Sequence, residues 1–352
     1  MATAQYSFIE NMSSAVENFA IGIDIGATKI AAVLLSERGE LVDSLQVPTL
    51  ANEGVQAVFD KVADQIMNLK RQKPGAVVGV GIGSPGKVDS SLGIVYNAVN
   101  LGWTEVNLVQ EIARRIGGLA NAVPVWTQKD TNLNALGEYY FGACQGCTDF
   151  IYIGVGSGLG AGIISNDHLI TGGDWYAADI GHLSINPDGP VCVCGGQGCA
   201  ELVASGPGLV RLTKRMLANS SVSSILTNEI ELTSADVLAA ADKGDPIAFE
   251  ALTEVGRILG IIMSACAVIL NPSRFVIGGG LGSAGFNFIV PTIREEMMRR
   301  TIPDHRSQME IVPSRVESPA IGSACLVWYA RTGKMLKAEA VKKEQWEGGD
   351  AH

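Results

Sequence analysis

One stretch organises the chain: His182-Leu-Ser-Ile-Asn-Pro-Asp-Gly-Pro-Val-Cys192-Val-Cys194-Gly-Gly-Gln-Gly-Cys199-Ala-Glu201. It contains one imidazole and three thiols, and its prolines and glycines allow the backbone to fold back on itself. A Cys3His set binds zinc tetrahedrally, and because no coordination position stays open, the predicted metal is structural. The alternatives are a disulfide with a spare thiol, or four unrelated residues. We predict a zinc-stabilised loop over residues 182–199, with His182, Cys192, Cys194 and Cys199 as ligands.

Acidic residues flank this predicted loop on both sides. Asp179 comes shortly before the histidine, and Glu201 comes shortly after the last cysteine. A metal that orders the loop therefore also orders two carboxylates, which are suited to accept hydrogen bonds from a polar ligand.

A second cysteine pair, Cys144 and Cys147, lies outside the metal stretch. Cys-x-x-Cys spacing occurs in redox pairs and in metal sites. Neither a strand-turn-helix redox context nor a further ligand pair accompanies it, so the sequence favours a structural role and leaves the two functional alternatives open.

Bulk composition limits the compartment and the class of partner. A chain of 352 residues suggests two domains, and an odd number of cysteines (seven) argues for a reducing, cytoplasmic compartment. The formal net charge of −10 disfavours binding to nucleic acid or to anionic membranes. The N-terminus lacks the pattern of a signal peptide. The longest apolar run, 258–270, is shorter than the roughly 20 residues that a membrane span needs, so it predicts a core helix.

Three glycine-rich turns follow predicted buried strands. Closely spaced backbone N–H groups in such turns bind anions, and a hydroxyl or carboxylate beside them adds a donor or holds a hydrated Mg²⁺. The second turn continues into a strand, which distinguishes it from a dinucleotide fingerprint that opens a helix. The alternative for each is a simple structural turn. The three turns are Asp24-Ile-Gly26-Ala-Thr28-Lys29, Gly156-Ser157-Gly158 and Gly278-Gly279-Gly280.

Asp130 lies where a predicted strand, Val123-Pro-Val-Trp126, passes into a predicted helix. The simplest interpretation is a helix N-cap. The alternative is a general base, because the positive potential at a helix N-terminus keeps a carboxylate ionised. Upstream, Asn100 and Trp103 either border a polar ligand or belong to a packed loop.

Taken in order, these motifs resemble the ROK family of sugar kinases and regulators (repressor, open reading frame, kinase), within the actin–hexokinase–Hsp70 ATPase superfamily. The resemblance runs from about Gly22 to Ala330, and the metal stretch is its most specific part. Its other elements are Asp24-x-Gly-x-Thr28, Gly83-Ser-Pro-Gly86, Asn100 with Trp103, Asp130, Gly156-Ser-Gly-Leu-Gly160 and Gly278-Gly-Gly280.

The resemblance implies an α/β fold of two ribonuclease-H-like (actin-like ATPase) lobes, with ATP and sugar in the interlobe cleft. On this basis, residues 20–127 form a small lobe and 128–318 a large lobe that carries the metal loop. A C-terminal helix at 319–333 returns to the small lobe. Residues 1–19 are expected to be a flexible arm and 334–352 a solvated tail, and the family resemblance also implies a homodimer or higher homo-oligomer.

The implied reaction is ATP-dependent phosphorylation of a hexose hydroxyl, glucokinase-like and most simply at the 6-hydroxyl, with Asp130 as general base. The alternatives are a kinase for N-acetylmannosamine, N-acetylglucosamine or another sugar, and a non-catalytic sugar-binding or nucleotide-hydrolysing protein. A regulator of the same family would carry a helix-turn-helix domain, and the arm before Ile21 is too short for one. By position, the resemblance implies sugar contacts at Asn100, Lys129, Asp179, His182 and Glu201. It implies Mg²⁺ at Asp24 and adenosine contacts at Gly279 and Gly280. The implied phosphate contacts are Gly26, Thr28, Lys29, Gly156, Ser157 and Gly158.

The chain departs from the family pattern at three positions. Lys129 precedes the predicted base where members often have Asn, and Asp179 stands where Glu is usual. Both changes bear on which sugar is bound. Ala27 replaces a common Gly in the first turn, which is a mild change.

Overall fold

The computed structural model describes residues 17–117, 123–227, 231–303 and 309–332 as an α/β protein with two five-stranded sheets and one three-stranded sheet. The first sheet contains β1 (Phe19–Ile25), β2 (Lys29–Ser36), β3 (Leu41–Pro48), β4 (Val77–Ser84) and β8 (Val125–Lys129). The three-stranded sheet contains β5 (Lys87–Asp89), β6 (Ile94–Ala98) and β7 (Trp103–Asn107). The second large sheet contains β9 (Phe150–Val155), β10 (Leu159–Ser165), β11 (His168–Leu169), β12 (Arg274–Gly278) and β13 (Glu310–Pro313).

The two large sheets share one topology. The first has the order β3-β2-β1-β4-β8 and the second the order β11-β10-β9-β12-β13. In each, three consecutive strands pair antiparallel and two later strands add in parallel beside the first of them. This repetition is consistent with the expected pair of ribonuclease-H-like lobes. Each large sheet also has a buried apolar cluster of its own.

The strand β1 begins at Phe19, the last residue of the expected arm. Phe19 is buried, so the first sheet includes one residue that was expected in the arm. Residues 1–16 of the expected arm and the expected tail lie outside the described residues, as does residue 333 of the expected C-terminal helix.

Helix starts follow the capping residues that the sequence offers. The Ser205 side chain accepts a hydrogen bond from Gly208 N, Thr233 forms a capping box, and Asp245 accepts from Ala248 N. The described α-helices are α1 (Val55–Lys70), α2 (Leu108–Arg115), α3 (Asp130–Tyr140), α4 (Gly206–Asn219), α5 (Ser234–Asp242), α6 (Pro246–Leu270), α7 (Gly280–Ala284), α8 (Phe286–Arg300) and α9 (Pro319–Arg331).

The long helix α6 is the core helix predicted for the apolar run. It is the one described helix whose length and composition would allow it to cross a membrane, yet most of that segment is buried within the protein. Gly256 and Gly260 permit close packing on α8, because a methyl group on Gly256 would lie 2.6 Å from Ile289 O and one on Gly260 would lie 2.6 Å from Glu296 Cβ.

Two helices, α3 and α9, connect the large sheets. α9 packs on the first sheet, where a methyl group on Gly22 or Gly81 would overlap the backbone of Ala320 or Ser323. α3 packs on the second sheet at Gly162, where a methyl group would lie 2.5 Å from Thr131 O. The two helices meet at Gly322, whose α-carbon lies against the backbone of α3. Backbone contacts of this kind fix the position at which α3 begins.

Candidate active site

Asp130 is the first residue of α3, directly after the end of β8. Lys129, not Asp130, occupies the N-cap position, so the N-cap interpretation of the aspartate is not how the structure uses it. Asp130 Oδ1 accepts a hydrogen bond from Thr131 N at 2.6 Å. Among the hydrogen bonds of the described residues, none involves Oδ2. One carboxylate oxygen is therefore available to a ligand.

Asp130 and Asp24 lie close enough to influence each other electrostatically. Burial, and next the negative charge of Asp130, raise the pKa of Asp24 to about 7, against a smaller opposing effect of Lys29. Burial is also the main cause that raises the pKa of Asp130. Asp24 comes from β1 of the first sheet, whereas Asp130 begins the helix that packs on the second. Two carboxylates brought together in this way favour a divalent cation between or beside them.

Lys129 forms an ion pair with Asp179, joining Nζ to Oδ1. The lysine side chain is 14% exposed and the aspartate side chain 36%, so the pair is partly shielded from water. These are two of the three positions at which the sequence departs from the expected family pattern, and the structure brings them into direct contact. The charge of Lys129 also lowers the pKa of the neighbouring Asp130, whereas that of Asp179 raises it.

The first two glycine turns are closed by backbone hydrogen bonds. In the first, Gly26 N donates to Lys29 O at 2.9 Å, and Thr28 and Lys29 are exposed. In the second, Gly156 N donates to Gly158 O at 2.9 Å, and Ser157 is exposed at the tip. Each turn joins the first two strands of its large sheet, so the two turns occupy equivalent positions in the repeated topology.

The third glycine segment lies beside the second. Gly279 precedes α7 with φ of 79°, and a methyl group there would lie 2.5 Å from Val155 O. Gly280 N lies 3.8 Å from the position that a methyl group on Gly156 would take. The second turn and the third segment therefore form one continuous glycine-lined surface, on which a flat ligand can lie against bare backbone.

Tyr152 is a buried residue near these groups that the sequence motifs did not identify. Its pKa is raised, chiefly by burial and then by the charges of Glu138, Asp130 and Asp24. Its hydroxyl lies under the third glycine segment, since a methyl group on Gly278 would be 2.5 Å from that oxygen. No motif marked Tyr152 because it occupies an ordinary apolar position of β9.

The four predicted metal ligands converge. Their ligand atoms all lie within 4.8 Å of one another, with Cys192 Sγ 3.9 Å from His182 Nδ1. Cys194 Sγ and Cys199 Sγ are 3.6 Å apart, far beyond a disulfide bond of about 2.05 Å. Tetrahedral zinc with metal–sulfur bonds of about 2.3 Å requires sulfur atoms about 3.8 Å apart. Both the donor set and its dimensions fit such an ion.

Glu201 connects the metal loop to the second glycine turn. Its Oε2 accepts a hydrogen bond from Leu159 N at 2.8 Å. A methyl group on Gly158 would lie 2.7 Å from the same oxygen. Glu201, which is predicted to bind the sugar, therefore lies against the turn that is predicted to bind phosphate. One of its two carboxylate oxygens accepts the hydrogen bond from Leu159 N.

Asn100 has no hydrogen bond to the other predicted site residues in the part of the chain that the structure describes. It is exposed in a short 3-10 turn, Val99–Leu101. Trp103 is buried and its ring centroid lies 5.5 Å from that of Phe59, which supports the packed-loop alternative for the tryptophan.

The pair Cys144 and Cys147 forms a turn beyond α3, with Cys147 N donating to Cys144 O at 2.9 Å. Within the described ranges, His182 and the three nearby cysteines are the one set of side chains with metal-binding proximity. A second metal at Cys144 and Cys147 therefore gains no support.

Comparison with known proteins places these features in one family. A family model described as the ROK family matches residues 20–329. A glucokinase of Streptomyces coelicolor is 35% identical over 289 residues, which cover 79% of this chain and 87% of the relative. A xylose repressor of Caldicellulosiruptor bescii is 29% identical over 312 residues, covering 87% of this chain and 76% of the repressor.

A solved structure gives the same answer for the fold. The ROK glucokinase of Streptomyces griseus, crystallised with glucose and AMPPNP, superposes with a TM-score of 0.75 at 32% identity. The match covers 88% of this chain and 99% of that structure. Since the motifs, the family model and the superposition agree over nearly all of the described residues, the chain belongs to the ROK family.

Proposed function

We propose that this protein transfers the γ-phosphoryl group of ATP to a hexose hydroxyl, glucose and its 6-hydroxyl being the first candidates. The observation that carries the proposal is that Asp24, beside the first glycine turn, meets the helix begun by Asp130: a methyl group on Gly83 would lie 3.1 Å from Asp24 Oδ1 and 3.0 Å from Leu133 Cδ1 of that helix. Phosphoryl transfer depends mainly on positioning and on neutralising charge, and this set of groups supplies both. The glucokinase relatives support the same class of reaction.

Asp130 is the proposed general base. Its Oδ2, which has no hydrogen-bond partner among the described residues, can accept the proton of the attacking sugar hydroxyl, while Thr131 N holds Oδ1 in place. The N-terminus of α3 and the ammonium group of Lys129 favour the ionised form that a base requires. Burial opposes ionisation and raises the pKa of Asp130, and a carboxylate with a raised pKa is the stronger base once it is ionised.

Asp24 is the proposed site for Mg²⁺, which would neutralise the phosphates and suppress repulsion between the two carboxylates. Adenosine would lie against Gly279 and Gly280. The proposed phosphate contacts are the two closed turns, with Gly26, Thr28 and Lys29 in the first and Gly156, Ser157 and Gly158 in the second.

The proposed sugar contacts come from the end of β8 and from the residues at both ends of the metal loop. Lys129, Asp179 and His182 supply a donor, an acceptor and an imidazole, and Glu201 adds one carboxylate oxygen. Asn100 is kept as a further sugar contact, which requires the ligand to reach its exposed turn. Because Lys129 and Asp179 neutralise each other, a neutral sugar is the best match, and N-acetylmannosamine and N-acetylglucosamine are the next candidates after glucose.

Zinc is the proposed metal of the Cys3His cluster, held by His182, Cys192, Cys194 and Cys199. Bound there, zinc supplies no chemistry to the reaction and orders the loop. His182 turns Nδ1 toward Cys192, which leaves Nε2 on the outer side of the ring for a sugar hydroxyl. The lobe boundaries, the cytoplasmic location and the homodimer implied by the family remain part of this proposal.

The test is a coupled assay of ADP release with glucose, mannose, N-acetylated hexosamines and polyols. We expect saturable, sugar-dependent release of ADP with at least one hexose, and loss of at least 10³-fold in Asp130→Asn. Sugar-independent ATP hydrolysis by the wild-type protein, or no release with any sugar, would refute the proposal. Because a xylose repressor is among the relatives, sequence-specific DNA binding released by a sugar would favour a regulator instead.

A further inference from the structure

A second contact between a lysine and an aspartate lies beyond Lys129 and Asp179. Lys87 Nζ is 2.8 Å from Asp174 Oδ1 and 4.5 Å from the centroid of the Tyr176 ring. Lys87 opens β5 of the three-stranded sheet, whereas its partners belong to the segment 171–179 that follows β11. The contact therefore joins two parts of the protein that are far apart in the sequence.

Lys87 is held in place by its own sheet. Its side chain is only 15% exposed, and Tyr96, its neighbour across β5 and β6, has its ring centroid 5.4 Å from Nζ. The hydrogen bond to Asp174 raises the pKa of Lys87, so the ammonium group stays charged at neutral pH. Asp174 is 76% exposed, so the ion pair alone is weak, and the rings of Tyr96 and Tyr176 add cation–π contacts to the shielded ammonium group.

The segment 171–179 needs such support, because its backbone is unusual. Trp175 and Ala178 have φ of 62° and 66°, values that residues other than glycine rarely adopt. One end of the segment is tied to β10, since Ala161 N donates to Ala178 O at 3.1 Å. The next residue along the chain is Asp179, the partner of Lys129.

The two lysines approach the segment from neighbouring places. Ser84 at the end of β4 is the register partner of Lys129, and Lys87 follows Ser84 after a two-residue turn. Lys129 contacts the end of the segment and Lys87 contacts its middle, at Asp174. The segment is thus held at two points by cations from the strands on the other side of the site.

We propose that Lys87 is a positioning residue for the sugar site. By holding Asp174 and Tyr176, it fixes the conformation of the segment 171–179 and thereby the direction of the Asp179 carboxylate. The inference rests on the proposed role of Asp179 in binding the sugar. Lys87 acts through the segment and not on the reacting atoms, so its removal changes sugar affinity and leaves the chemical step intact.

The experiment compares Lys87→Met, Asp174→Asn, Tyr176→Leu and Tyr176→Phe with the wild-type protein. Steady-state kinetics give kcat and the KM for the best sugar and for ATP, and hydrogen exchange reports the backbone of 171–179. Glu310→Gln is the matched control, because it removes an ion pair with Arg274 of comparable exposure at the edge of the second sheet. Thermal unfolding of each variant verifies that the protein remains folded.

We expect Lys87→Met, Asp174→Asn and Tyr176→Leu to raise the sugar KM about 5- to 10-fold, with kcat within about twofold. Amides of the segment 171–179 should exchange faster in these variants and at the wild-type rate elsewhere. Tyr176→Phe keeps an aromatic face for the ammonium group and should behave like the wild-type protein, as should Glu310→Gln.

Unchanged sugar KM and unchanged exchange in Lys87→Met and Asp174→Asn would overturn the proposal. An equal rise of KM in Glu310→Gln would also overturn it, because the effect would then be general. If the wild-type protein phosphorylates no sugar, the proposed function fails, and the exchange comparison alone decides whether Lys87 positions the segment.

Discussion

Replacing Asp24 by Asn is expected to stabilise the ligand-free protein at alkaline pH. Burial and the nearby charge of Asp130 raise the pKa of Asp24 from 3.8 to about 7. The folded protein therefore binds this proton more tightly than the unfolded chain does. The stability that the proton contributes is fully present below pH 3.8 and is lost as the pH rises through about 7.

The difference between the two pKa values sets the size of the effect. At about 1.36 kcal/mol per pKa unit, the ionised carboxylate costs at most about 4 kcal/mol of folding free energy above pH 8. Because Asp24 is only half-buried, we expect Asp24→Asn to recover about half of this, ~2 kcal/mol. At pH 5 the folded carboxyl is protonated, but most unfolded chains have already lost this proton, so the same reasoning leaves a difference of about 1 kcal/mol or less.

The assay is urea unfolding of both proteins at pH 5 and pH 8.5 without nucleotide. Asp64→Asn is the control, since Asp64 lies exposed on α1 and its replacement should change stability by less than about 0.5 kcal/mol. Added Mg²⁺ and ATP should stabilise the wild-type protein and not Asp24→Asn, which should also lose kinase activity. An Asp24→Asn protein no more stable than the wild type at pH 8.5 would refute the reasoning.

Three further substitutions test other parts of the site. Lys129→Met removes the cation that lowers the pKa of Asp130, so the acidic limb of the pH–rate profile should move to higher pH; an unmoved limb would contradict the ion-pair argument. Cys194→Ser should lower the zinc content of the purified protein, measured by elemental mass spectrometry, and raise the sugar KM; full activity of zinc-free protein would count against it. Gly279→Ala should raise the KM for ATP and lower the melting temperature, because its methyl group would meet Val155 O at 2.5 Å; a wild-type KM would show that the backbone there is not used by the nucleotide.

Local features were predictable because each depends on residues close together in the sequence. The strands on either side of Gly26 and Gly156 followed from apolar runs broken by glycine. The helix starts at Ser205, Thr233 and Asp245 coincide with side chains of the types that cap helices. The grouping of His182 with the three cysteines was predictable for the same reason: the ligands occupy one short loop whose chemistry suits one ion.

The contacts that make the site were not predictable in this way. The sequence marked Lys129 and Asp179 as departures from a pattern, and only the structure pairs them with each other. It likewise brings Asp24 to Asp130, and Glu201 to the turn at Gly158. These residues lie on different elements and many positions apart, so no local rule of spacing relates them.

The sequence by itself determined the elements, the glycine turns, the set of metal ligands and the family pattern, because propensity, periodicity and capping act over a few residues. The tertiary structure alone decided which charges meet, because that depends on how α3 and α9 pack between the two sheets. The packed backbones leave no room for a methyl group at Gly22, Gly162 and Gly322. This close approach sets where α3 begins and therefore where Asp130 lies.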